Sequence, residues 1–118
     1  MKIVKVSEEV KGLADLVALV RNDRACNLKD ADGVEVIELQ AWAVVDDANV
    51  DDTETRVLAM ADSDGVVYNT VSRPFIREFL NLVDMCEAFG GALESVALVH
   101  GITQGGQDFM TCKLAGYR

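Results

Sequence analysis

Apolar and polar positions alternate along this chain in two rhythms, and each rhythm predicts a kind of element. In residues 34–45, VEVIELQAWAVV, alternate positions fall on two faces of a strand. Ile37, Leu39, Ala41, Ala43 and Val45 take one face, and Glu38, Gln40 and Trp42 the other. RVLAMA (56–61) and VVYNTV (66–71) read as two short strands. The Asp-Ser-Asp-Gly between them makes a hairpin turn in which Gly65 supplies a positive φ. ESVALVHG (94–101) and QDFMTCKLAG (107–116) read as two closing strands around the loop ITQGGQ.

The helical rhythm is clearest after Val71. Ser72 is a good N-cap, Pro74 suits the first turn, and Gly90 suits the position just past the end. Phe75, Ile76, Phe79, Leu80, Val83, Cys86 and Phe89 form an apolar stripe at helical spacing. Residues 7–21 support two readings. Val10, Leu13, Ala14, Val17 and Val20 recur at helical spacing with Ser7 as a possible cap, whereas LVALV would also suit a buried strand. Helix is the favoured reading.

The order is strand, acidic loop, hairpin, helix, hairpin. A mainly β fold with five strands and one helix between the third and fourth has the order of an OB-like Greek-key barrel, the helix plugging its open end. Other small mixed folds share parts of that order. The expectation is one domain over 1–118 with an N-terminal helix added.

The overall charge speaks against a nucleic-acid partner, and its distribution weakens that objection. The formal net charge is −9. Residues 46–64 carry seven of the acids against one base, Arg56, which leaves thirteen acids and ten bases elsewhere. A basic groove outside the acidic segment therefore remains open. Three scattered cysteines, Cys26, Cys86 and Cys112, point to reduced thiols rather than a disulfide framework or zinc site. No apolar run reaches the length of a membrane span, and no signal-peptide pattern opens the chain.

The segment ETRVLAMADSDGVVYNTVS, the tail VALVHGITQGGQDFMTCKL and the earlier NLKDADGVEVIEL resemble the single-stranded DNA-binding proteins of protein-primed Bacillus phages and their relatives. The likeness spans roughly Asn27 to Leu114. It implies a protein that coats single strands during phage DNA replication, without sequence preference and without catalysis, in the cytoplasm of the infected host. It implies single-stranded DNA and the phage's replication proteins as partners, and a binding role for Tyr68 and Phe109.

Such binding needs flat rings for bases and cations for phosphates. Tyr68 follows a tight turn on a face with Val66 and Thr70; the alternative is a half-buried packing residue. Trp42, by strand alternation alone, faces outward, and the alternative is a cover for the barrel rim. Phe109 shares an outward face with Thr111 and Lys113, while Met110, Cys112 and Leu114 turn inward. Arg56, Arg73, Arg77 and Lys29 complete the candidate cations, each of which could instead be a solvated charge; Arg73 and Arg77, four apart, share a helix face.

Other chemistry is poorly supported. The acidic loop 46–54 lacks the spacing of a calcium loop, so no metal or cofactor is expected. The Gly-Gly loop lacks the Lys-Ser/Thr of a P-loop, and His100 has no Ser or Cys partner and is expected to pack at a strand end. An enzyme is not expected. The rival is an acidic interaction protein whose loop mimics DNA and blocks a host enzyme. Trp42, Tyr68 and Phe109 in one groove favour binding; their burial favours mimicry.

Overall fold

The computed structural model describes residues 1–48 and 54–118. A curled half-barrel sheet dominates it. In chain order the elements are β1 (Lys2–Val6), α1 (Leu13–Val20), β2 (Cys26–Asn27), a 3-10 turn (Leu28–Asp30), β3 (Val36–Ala48), β4 (Glu54–Asp62), β5 (Val67–Thr70), α2 (Arg73–Ala88), β6 (Leu93–Ile102) and β7 (Asp108–Tyr117). The sheet runs β2-β5-β4-β3-β6-β7, and β1 adds to the edge of β3 beyond β6. Every ladder is antiparallel except the short β2–β5 pair.

The long strand β3 organises the fold. Its first residues, Val36–Glu38, pair with β6, and Ala43–Asp46 pair with β1, while β4 runs along the opposite edge. Opposite β4 the register skips between Leu39 and Ala41, so one residue of β3 is extra. That bulge reverses the alternation of every side chain after it. Ile37 and Leu39 before it, and Trp42 and Val44 after it, all enter the main core. Ala43 and Val45 turn to the other face, where Leu16 and Leu19 of α1 cover them.

Trp42 is thus corrected from an outward residue to a core one, 6% exposed, with its ring edge-on to Phe79 at 5.2 Å. The backbone there is also tied down. Trp42 N–H donates to the Ser7 hydroxyl and Ser7 N–H donates to the Trp42 carbonyl, both at 3.0 Å. Ser7 therefore extends β1 rather than capping a helix, and the N-cap of α1 is Gly12, which provides no side-chain cap. The stripe expected on α1 is also displaced: Leu13 and Val17 are exposed, and Leu16 and Leu19 are buried.

The predicted signals around α2 hold. Gly65 has φ 85°, Phe75 N–H donates to the Ser72 hydroxyl at 3.4 Å, and Gly90 turns the chain at φ 82°. Phe75, Ile76, Phe79, Leu82, Val83 and Cys86 seal the main core. Phe89 departs from the stripe and is 85% exposed. It is the C-cap, where the backbone has left the helical path, and the Tyr117 hydroxyl holds its carbonyl at 2.9 Å.

The acidic segment is shorter than a 46–54 loop. Asp46, Asp47 and Ala48 belong to β3 and Glu54 to β4, and residues 49–53 lie outside the described residues. Asp46 and Asp47 pair with Arg56 and Arg21 respectively. No helix among the described residues is long and apolar enough to cross a membrane.

Candidate nucleic-acid interface

No ladder joins β5 to β7 among the described residues, so the curled sheet has a gap. Polar contacts of the α2 start bridge it instead. The Ser72 hydroxyl donates to the Met110 carbonyl at 3.4 Å while also capping α2. Beside this tie lies a groove of about 960 Å³. One bank is Thr70, Val71, Ser72 and Pro74; the other is the end of the β6–β7 hairpin, from His100 to Ile102 and Asp108 to Met110. Asn27 and Lys29 close one end.

The groove follows from hairpin length. On β6 the inward series is Val96, Leu98, His100 and Ile102, paired with Leu114, Cys112, Met110 and Asp108 of β7; Leu114, expected to turn inward, is instead 49% exposed and in no core cluster. Val96, Leu98, Cys112 and Met110 pack in or against the main core. Each two residues add roughly 7 Å of strand, and past Leu98 on β6, and on the tip side of Met110 on β7, the hairpin has left the core. Its inner face then meets solvent: His100 is exposed and Ile102 is 71% exposed. His100 therefore lines the groove rather than packing at a strand end, and it is the residue that marks in the sequence where the inward series leaves the core.

Phe109 lies on the outer face opposite Gly101, and its ring covers that glycine. A β-carbon at Gly101 would fall 2.4 Å from the ring, so the glycine is needed for the ring to lie there. Phe109 remains 38% exposed and lines the groove with Lys29. Two of the candidate residues are thus brought together.

Three others meet nearby. Arg56, Arg73 and Arg77 line a cleft of about 470 Å³ with Ile76 and Leu80. A small opening lined by Asp46, Arg56, Val71 and Arg73 lies between, so Val71 connects groove to cleft. Arg73, Arg77 and Lys29 form no ion pair among the described residues. Arg56 does, giving Asp46 two hydrogen bonds at 2.8 and 3.1 Å. These bonds raise the Arg56 pKa and hold the Asp46 carboxyl below the usual carboxylate value.

The remaining candidates stand apart. Tyr68 is half-buried against the main core, between Met60 and Cys26, and lines neither opening. Burial raises its phenol pKa. Lys113 is exposed on the outer face, four residues beyond Phe109, and lines neither opening. Trp42 borders a different cleft near Glu8, Glu9 and Arg118. Its outward orientation was lost to the bulge. Cys86 and Cys112 are buried, and burial pushes the Cys112 thiol up to about 12, while Cys26 is exposed beside Asn27. Among the described residues no three metal-ligating side chains cluster.

A half-barrel whose open seam carries an exposed phenylalanine, with cations in and beside it that form no ion pair among the described residues, has the makings of a single-strand binding surface. The comparison of sequences agrees: the family model described as phage single-stranded DNA-binding protein matches residues 12–115, so the chain belongs to that family. The match takes in all of the chain from the start of α1 nearly to the end of β7. No curated protein and no solved structure matches the chain significantly.

Proposed function

We propose that this protein binds single-stranded DNA without sequence preference and coats strands exposed during phage DNA replication, in the cytoplasm of the infected host cell. It acts stoichiometrically, not as a catalyst, alongside the phage's other replication proteins. β3 to β7, with α2 between the third and fourth of them, make an OB-like five-stranded Greek-key barrel on this reading. Membership of the family supports the ligand class.

The observation that carries the reading is the groove at the β5–β7 seam, where exposed Phe109 stands with Lys29 and the surface continues past Val71 to Arg73 and Arg77. Bases stack on Phe109, and the three cations neutralise phosphates. Tyr68, which lies outside the groove and pairs with Cys26 next to groove-lining Asn27, is read as a further base contact through its exposed part. A surface with so few free cations gives a shallow salt dependence. Three neutralised phosphates correspond to a log–log slope of about −2.

Paired substitution of Arg73 and Arg77 by Ala tests this directly. Both are exposed, so folding is preserved, and the slope should flatten by about 1.4. An unchanged slope with unchanged affinity would remove the α2 cleft from the binding surface.

A further inference from the structure

Two exposed aliphatic side chains face the same groove from opposite banks. Ile102 sits at the end of β6, 71% exposed, on the hairpin's inner face. Val71, between β5 and the α2 cap, is 57% exposed. Neither belongs to a core cluster. Met110, partly buried against the main core, also lines the groove, whose charged lining residues are Lys29 and Asp108. An apolar slot beside Lys29, continuous through Val71 with a cleft of arginines, matches a ligand with flat apolar faces on an anionic backbone. Unpaired nucleobases have that chemistry. Bases in a duplex do not, because their faces are already stacked.

We infer that the slot between Ile102 and Val71 is a base-binding subsite, in which unpaired bases lie against aliphatic side chains while Lys29 and the α2 arginines hold the phosphates. The inference rests on the single-strand reading above and adds to it. Phe109 alone offers one ring on the outer edge, whereas the slot lets the bases turn inward across the seam. The inner face of the hairpin is then a recognition surface, although its alternation continues the pattern of the core.

The test uses two variants of the full chain, Ile102→Thr and Val71→Thr. Threonine keeps the branched β-carbon and replaces a methyl or ethyl group with a hydroxyl, at sites exposed enough for melting to change little. Affinity is measured by anisotropy for labelled oligo(dT) and for a length-matched abasic deoxyribose-phosphate oligomer. Wild type should prefer oligo(dT). Each variant should lose roughly three- to tenfold of oligo(dT) affinity and stay within about twofold of wild type on the abasic strand. Full retention of the preference by both variants would overturn the subsite and leave single-strand binding standing. So would an equal loss on both ligands, which would mean a backbone contact. If wild type bound neither ligand, the underlying reading would fail, and the subsite with it.

Discussion

If DNA occupies the proposed surface, Asp46 competes with it for Arg56, and removing the Asp46 charge should tighten binding. The two residues are direct cross-strand partners in β3 and β4, and the guanidinium makes two hydrogen bonds to the carboxylate. Arg56 lines the cleft that holds Arg73 and Arg77, so Asp46→Asn would release a fourth cation onto the proposed phosphate path. One more neutralised phosphate steepens the slope by about 0.7, from about −2 to about −2.8. Between 50 and 200 mM salt the loss of affinity should then grow from roughly twentyfold to roughly fiftyfold, with the variant the tighter binder at the low end. The control is Asp47→Asn. It makes the same change in net charge but frees Arg21, which lines neither opening. The assay is anisotropy of labelled oligo(dT) across the salt range. Equal gains in both variants would reduce the effect to net charge, and no gain in Asp46→Asn would refute the competition. The pH dependence has a fixed sign. Because Arg56 lowers the Asp46 pKa, the pair's contribution to stability is present above the ordinary carboxylate range and is lost as pH falls through the lowered value. At this partly exposed site the loss should scarcely move the melting temperature.

Trp42 should emit as a buried tryptophan and change little on DNA binding, while Trp42→Ala should destabilise the fold by about 3–5 kcal/mol in denaturant melts; strong quenching by oligo(dT) would mean the bulge has been misassigned. Tyr68→Ala should lower the melting temperature by removing packing against the main core, whereas Tyr68→Phe should leave both stability and affinity near wild type. Parallel titrations of the two Tyr68 variants measure how much of the exposed ring serves DNA, and an affinity loss in the folded alanine variant supports that role. A thiol reagent should modify only Cys26 in the native protein and all three cysteines in denaturant, since Cys86 and Cys112 are buried; fast reaction of a second thiol under native conditions would contradict that burial.

The sequence was most readable where local chemistry fixes the backbone. Ser72, Pro74 and Gly90 bound α2 through capping and a left-handed turn, and Gly65 sets the β4–β5 hairpin; these depend on nearest neighbours. Trp42 was not readable because one extra residue in β3 reverses the alternation, and a bulge depends on the partner strand. α1 showed its helical period but not its buried face, since Ala43 and Val45 across the fold select Leu16 and Leu19. The groove was half readable. Lys29 and Phe109 could be nominated by type, and Arg73 with Arg77 by spacing. Ile102 and Val71 could not, because strand periodicity does not say where a hairpin outruns the core that covers its inner face.

The most direct test of single-strand binding is competition between two unlabelled DNAs for the protein bound to labelled oligo(dT). One competitor is a single strand of mixed sequence, and the other is the same sequence annealed to its complement. Melting curves on the same preparation establish that the protein is folded. The groove at the β5–β7 seam predicts displacement by the single strand at much lower concentration than by the duplex, with little dependence on base sequence. Equal or better displacement by the duplex, or no binding of oligo(dT) by folded protein at low salt, would contradict it.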